Sequence, residues 1–156
     1  MDKKIEDLTS FKEMDFMLLN CIAHELDKYH NKVFGPYGIT GKQAAILSFM
    51  SFNSNNKLTQ RDFEQEFDLR PSTINSVLNN LEAGGFVTRT VSKTDGRAKI
   101  VTAEQKGREL FDVIIGSMQR QNDLVIKGFS QAEQQQLHSF LHRIVDNIHN
   151  TREGAI

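Results

Sequence analysis

Two short stretches hold the residue types and spacings from which a recognition chemistry can be built. In PSTINSVLNNLEA, residues 71–83, Ser72, Asn75, Ser76 and Asn79 recur three and four apart, which puts them on one face of a helix. Thr73 and Asn80 border that face, and none of these positions carries Lys, Arg or Glu. Solvated helix faces usually carry charge for solubility. Hydroxyls and carboxamides instead match the donors and acceptors of base edges and phosphate oxygens, and Asn can pair bidentately with adenine. An ordinary polar surface would contain the same residues, so the face alone does not decide. The second stretch, RTVSKTDGRAKI at 89–100, gathers Arg89, Lys93, Arg97 and Lys99 around one acid, Asp95.

That concentration stands out because the chain as a whole is balanced, with 19 Lys and Arg against 20 Asp and Glu in 156 residues. Residues 57–68 carry two cations against four acids, whereas residues 69–101 carry five against two. A local surplus of this kind is what a polyanionic partner meets. Hydrophobic residues at 38% and charged residues at 25% fit a soluble globular protein. No apolar run nears the roughly 18 residues of a membrane helix, so the cytoplasm is the expected compartment and no membrane partner is expected. One cysteine, Cys21, excludes an intramolecular disulfide framework and a multi-Cys zinc site. No Gly-rich phosphate loop, nucleophile elbow or acid–base pair is found, so neither an enzyme nor a cofactor is expected.

The elements that must carry the two stretches follow from periodicity and punctuation. Phe11, Met14, Leu18, Ile22, Leu26, Tyr29 and Val33 predict a long first helix from about Leu8 to Phe34. After GPYG, Thr40 is a candidate N-cap for GKQAAILSFMSF. Thr59 with Asp62 opens a short third helix, and Pro71 suits the first turn of a fourth. That helix should stop at Gly84-Gly85. FVTRTV and KIVTA then alternate as strands joined through Asp95-Gly96, a hairpin signal. A helix from about Glu104 to Lys127 and a last one capped by Ser130 and Glu133 complete the chain. The fold class is mainly α with a small β-hairpin wing: a helix-turn-helix whose second helix suits the major groove, followed by a basic hairpin. Arg97 is the natural tip residue for a narrow minor groove, with Asp95 near enough to hold its guanidinium.

From LTQ at 58–60, through the ST of the fourth helix and LEAGGFVTR, to the D-x-R of the hairpin and Thr102…Gly107, the ordered motifs resemble the MarR family of bacterial transcriptional regulators. The flanking helices agree in order and length, so the resemblance covers nearly the whole chain. It implies a homodimer built from the first and last helices and a palindromic double-stranded operator, usually repressed. Release by a small aromatic or anionic effector, whose pocket residues the sequence does not mark, is also implied. The implied domains are a dimerisation helix at 1–38, the winged helix-turn-helix at 39–103 and dimerisation helices at 104–156. Carried over by position, Ser72, Thr73, Asn75, Ser76 and Asn79 face DNA, as do Arg89, Lys93, Asp95, Arg97 and Lys99 of the wing. Arg70-Pro71 departs from the family's usual Asp or Ser cap. A cation there opposes the positive helix end, which a phosphate contact would offset, so Arg70 joins the DNA-binding set.

Two features invite other readings. Cys21 raises a redox-sensing regulator, but the peroxide-sensing branch places its cysteine where this chain has Phe16. The neighbours Leu18, Leu19 and Ile22 predict a packed, inert thiol. His138, His142 and His149 share a helix face without an acid or cysteine to complete a metal set. A winged-helix protein-interaction module without DNA is the alternative from a different functional class.

Overall fold

Caps and breakers read along the chain mark out most of the observed elements. The structure, a computed structural model, describes residues 14–54 and 57–153. Helix α1 spans Asp15–Phe34 and follows an extended Met14; Leu8 and Phe11 of the expected stretch lie outside the described residues. Gly38, at φ +71°, ends a single 3-10 turn before α2, Gly41–Phe52. Thr40 caps α2 as expected: its hydroxyl accepts from the Gln43 N–H at 3.3 Å, and Gln43 Oε1 accepts from the Thr40 N–H at 2.8 Å. Gln43 is thereby buried without an unsatisfied polar group.

Strand β1, Leu58–Thr59, leads into α3, Gln60–Phe67. Asp62 Oδ2 accepts from the backbone N–H and the hydroxyl of Thr59, at 2.6 and 2.8 Å. Asp68 closes α3 in the left-handed region at φ +45°, a conformation Asp tolerates better than most residues. Three residues later Pro71 begins α4, Pro71–Ala83. The C-terminus of α4 is a Schellman turn: Gly85, at φ +75°, donates to Glu82 O at 3.0 Å and Phe86 donates to Leu81 O at 2.9 Å. The chain then enters β2, Val87–Val91, and β3, Lys99–Ala103. The antiparallel sheet runs β1-β3-β2, with Val87 opposite Ala103, Val91 opposite Lys99, and Leu58 opposite Val101. The short β1 is an addition to the expected hairpin. Two residues do not produce a readable alternation.

The helix expected from Glu104 to Lys127 is two helices, α5 at Gln105–Arg108 and α6 at Phe111–Val125. The Leu110 N–H bonds to Gly107 O at 3.2 Å, a tight i→i+3 step that ends α5, and Leu110 turns into the core. The last helix, α7, spans Gln131–Glu153. Its start carries the expected box, Ser130 N–H and Oγ both donating to Glu133 Oε2 at 2.7 Å.

The described chain divides into two compact units, one ending at Ile115 and one beginning at Gly116. In the first, Leu47, Phe63, Ile74, Leu78 and Leu81 have no exposed surface, each burial being worth roughly 1.5–3 kcal/mol. Phe49 sets its ring edge-on to Phe63 and Phe67. The core therefore joins α2, α3 and α4, and β2 and β3 close it through Val87 and Val101.

Gly107 shows why a glycine stands where α5 meets the sheet. A Cβ built on it would lie 2.3 Å from the Phe86 carbonyl oxygen, which accepts from the Glu104 N–H at 2.9 Å. Gly107→Ala must therefore displace the start of the wing and should destabilise by ~1–3 kcal/mol. Gly116→Ala, whose methyl meets only the end of the Arg120 side chain at 3.2 Å, should be neutral or mildly stabilising. Urea unfolding of both variants checks this; equal stabilities would mean that the Phe86 contact relaxes freely.

Candidate nucleic-acid interface

The buried side of α4 determines what its other side shows. With Ile74, Leu78 and Leu81 sealed in the core, Ser72, Asn75, Ser76 and Asn79 are exposed together and Thr73 is half-buried at the border. The expected face is therefore formed. It has one feature the sequence reading passed over: Glu82, a turn beyond Asn79, continues the same face and carries charge. Arg70 is the N-cap residue, extended at φ −61° and ψ 145°, makes no side-chain cap, and is exposed. Its cation stands at the positive end of α4, where an anion would be favoured.

The wing displays Lys93, Asp95, Arg97 and Lys99, all exposed. Its tip is held by short polar contacts. Ser92 Oγ accepts from the N–H groups of Thr94 and Asp95 at 3.3 Å, and the Ser92 N–H reaches Ala98 O at 2.9 Å. Asp95 does not hold the Arg97 guanidinium as expected: its Oδ1 accepts the Arg97 backbone N–H at 2.9 Å. The carboxylate shapes the turn, and Gly96 is not among the glycines with positive φ. Asp-Gly thus acts through a side-chain bond to the backbone rather than through a mirror-image turn.

Arg89 departs most from the expectation of a wing phosphate contact. Its side chain is 10% exposed, because it lies back across α4 instead of reaching outward. Nε and Nη2 donate to Glu82 Oε2 at 3.0 and 2.7 Å, and the Arg89 backbone N–H donates to Glu82 Oε1 at 3.1 Å. Nη1 reaches Asn75 Oδ1 at 3.1 Å, and Nη2 also bonds Asn79 Oδ1. The hydrogen bond from Arg89 holds the Glu82 carboxyl below the usual carboxylate range.

Two cations missed by sequence reasoning join the neighbourhood through the fold. Lys42, in the first turn of α2, lines an open groove with Thr40, Ser72, Thr73, Ser76 and Asn80. Arg61 of α3 lines another with Thr59, Gln60, Arg97 and Lys99. Neither proximity has a local sequence signal, since one depends on how α2 meets α4 and the other on how α3 meets the hairpin. Lys106 serves the scaffold instead: Nζ donates to Gly84 O at 2.8 Å and lies 4.2 Å from the centre of the Phe86 ring.

The remaining candidates lie outside this surface. Cys21 is exposed, not packed as expected: residues 20–25 of α1 are all exposed, and the helix joins the core only at its end, through Val33 and Phe34. His138 and His142 meet edge-on, with ring centres 4.4 Å apart. Among the described residues no group of three His, Cys, Asp or Glu could hold a metal ion, and no helix is long and apolar enough to cross a membrane.

Comparison with known proteins agrees with this geometry. A family model described as the MarR family matches residues 37–98. The HTH-type transcriptional regulator YybA of Bacillus subtilis is 21% identical over 130 residues, covering 83% of this chain and 85% of its own. The transcription regulator MarR from Oenococcus oeni has a similar structure, with a TM-score of 0.71, 27% identity, and coverage of 83% of this chain and 96% of that one. The MepR–DNA complex from S. aureus has a TM-score of 0.81 at 20% identity, covering 89% and 99%.

The Glu82–Arg89 contact has a definite pH signature. A carboxyl depressed in the folded state stabilises above its ordinary value of 4.5, and that contribution is lost as pH falls through the lower, folded value. Native protein should thus exceed Glu82→Gln in stability at neutral pH, and the gap should close on acidification below about 4.5. Thermal melts of both proteins across pH 3–7 check this; a gap independent of pH would remove the charge from the explanation.

Proposed function

We propose that the chain is a MarR-family regulator, on the match of its winged helix, residues 37–98, to that family's model, and that it binds a palindromic DNA operator as a homodimer and represses transcription. One observation carries the DNA-binding part of the proposal: Ser72, Asn75, Ser76 and Asn79 are exposed together on a helix whose opposite side buries Ile74, Leu78 and Leu81. Exposed Arg70 stands at one end, and the wing cations Lys93, Arg97 and Lys99 follow in the hairpin. Small donors and acceptors with cations at the margins suit recognition of bases in the major groove and of phosphates beside it. Arg97 is the proposed minor-groove residue, and Lys42 and Arg61 are added as proposed phosphate contacts. Glu82 and Arg89 support the helix and are not proposed to read the backbone.

Dimerisation is supported by apolar surface that each unit leaves uncovered. On α1, Phe16, Leu18 and Ile22 are about half exposed, and on α7 so are Phe140, Leu141, Val145 and Ile148. A second copy covers such stripes by two-fold pairing, and the domain roles proposed are dimerisation by the terminal helices around residues 39–103. Release by a small aromatic or anionic effector is the regulation that likeness to this family suggests.

Three measurements test this reading. Sedimentation at micromolar concentration should give a dimer, and selection from random duplexes should return an inverted repeat with half-site centres ~34–36 Å apart. Arg97→Ala should weaken binding to most sequences and lower the salt slope by about one per subunit for each phosphate interaction lost. A monomer, an asymmetric site, or an Arg97→Ala protein with native affinity at every salt concentration would each contradict the corresponding part.

A further inference from the structure

Asn75 and Asn79 pose a question that any carboxamide at a binding surface raises: which end faces the ligand. A guanidinium has five N–H donors and no acceptor. A side-chain amide atom in hydrogen-bond contact with it must therefore be the oxygen, because the flipped amide would set N–H against N–H. Arg89 makes this contact twice, through Nη1 to Asn75 Oδ1 at 3.1 Å and through Nη2 to Asn79 Oδ1. Its own position is held from the other side, where Nε and Nη2 donate to Glu82 Oε2 at 3.0 and 2.7 Å. Four of its five N–H donors are engaged within the protein. At 10% exposure the guanidinium is shielded, which strengthens these charge-assisted bonds relative to an open surface pair.

We propose that Arg89 is a specificity-positioning residue: by holding the oxygens of Asn75 and Asn79 inward, it makes both carboxamides donors toward DNA. They then read acceptor edges, such as N7 and O6 of guanine or O4 of thymine, and do not pair bidentately with adenine, which needs the amide oxygen. This rests on the reading of α4 as the major-groove helix, and it replaces the adenine pairing suggested by residue type alone. It also explains why the one strongly basic residue at the base of the wing is turned away from solvent while Arg97 and Lys99 are exposed.

The test uses the full chain and a duplex selected by the native protein. Asn75→Ala identifies the base pair at which selectivity is lost. At that pair, duplexes lacking one major-groove group are compared: 7-deazapurines remove an acceptor, and purine in place of adenine removes the amino donor. With the native protein, at least one acceptor deletion should weaken binding about fivefold or more, and no donor deletion should do so. Arg89→Met, which keeps an aliphatic stem, should relax selectivity at this pair and leave the salt slope unchanged. Loss of affinity on deleting the amino group would overturn the proposal, and so would an Arg89→Met protein with a lower salt slope and unaltered selectivity. If Arg89→Met does not fold, the atom-deletion series on native protein decides alone. Failure of the native protein to select any duplex would instead overturn the DNA-binding reading, and the proposal with it.

Discussion

The pairing of Glu82 with Arg89 is the interaction on which the proposed binding surface depends. Glu82 is in the last turn of α4 and Arg89 is in β2, seven residues on. The Schellman turn between them, with Gly85 at φ +75°, reverses the chain sharply enough for the strand to run back beside the helix. One carboxylate then accepts the Arg89 backbone N–H and two of its guanidinium N–H groups. Exposed ion pairs contribute little, but this guanidinium is shielded and shared with Asn75 and Asn79. Helix and wing thereby become one surface, so a displacement of the strand also shifts the asparagines.

That coupling bears on how a chain with net charge −1 suits a polyanion. Affinity for phosphates depends on the cations that reach them, not on the total, since distant charges are screened within ~8–10 Å. Neutralising Arg89 internally removes one cation from the wing and leaves Lys93, Arg97 and Lys99 toward solvent. Packing adds Lys42 and Arg61 from α2 and α3, so the surface gains through tertiary structure what it loses at Arg89. The acids that balance the sum, such as Asp62 at the start of α3, are partly consumed in caps.

Much of the scaffold was legible because local chemistry and tertiary packing agree. Thr40, Thr59, Pro71 and Ser130 start helices where their side chains or ring geometry require, and α4 has the bounds that Pro71 and Gly84-Gly85 mark. The failures share a cause. The break between α5 and α6 lies where the Leu110 N–H bonds to Gly107 O and Leu110 joins the core, a packing that no local pattern marks. The exposure of Cys21 depends on which turns of α1 meet the core. Arg89 read as a phosphate contact because residue type shows its charge but not its partners. At the surface, the periodicity of α4 marked which of its polar residues are exposed, while the orientation of its amides and the proximity of Lys42 required three-dimensional structure.

The most direct test of the central assignment observes the two asparagines as DNA arrives. Proton–nitrogen correlation spectra of the full chain, titrated with its selected duplex, report the side-chain NH2 groups of Asn75 and Asn79 and the backbone amides of the wing tip. The Asn75 and Asn79 NH2 resonances should move together with those of Lys93 to Lys99, and excess salt should reverse the change. A complex that forms while these resonances stay in place, with its perturbations confined to other elements, would contradict the assignment of α4 and the wing as the DNA-binding surface.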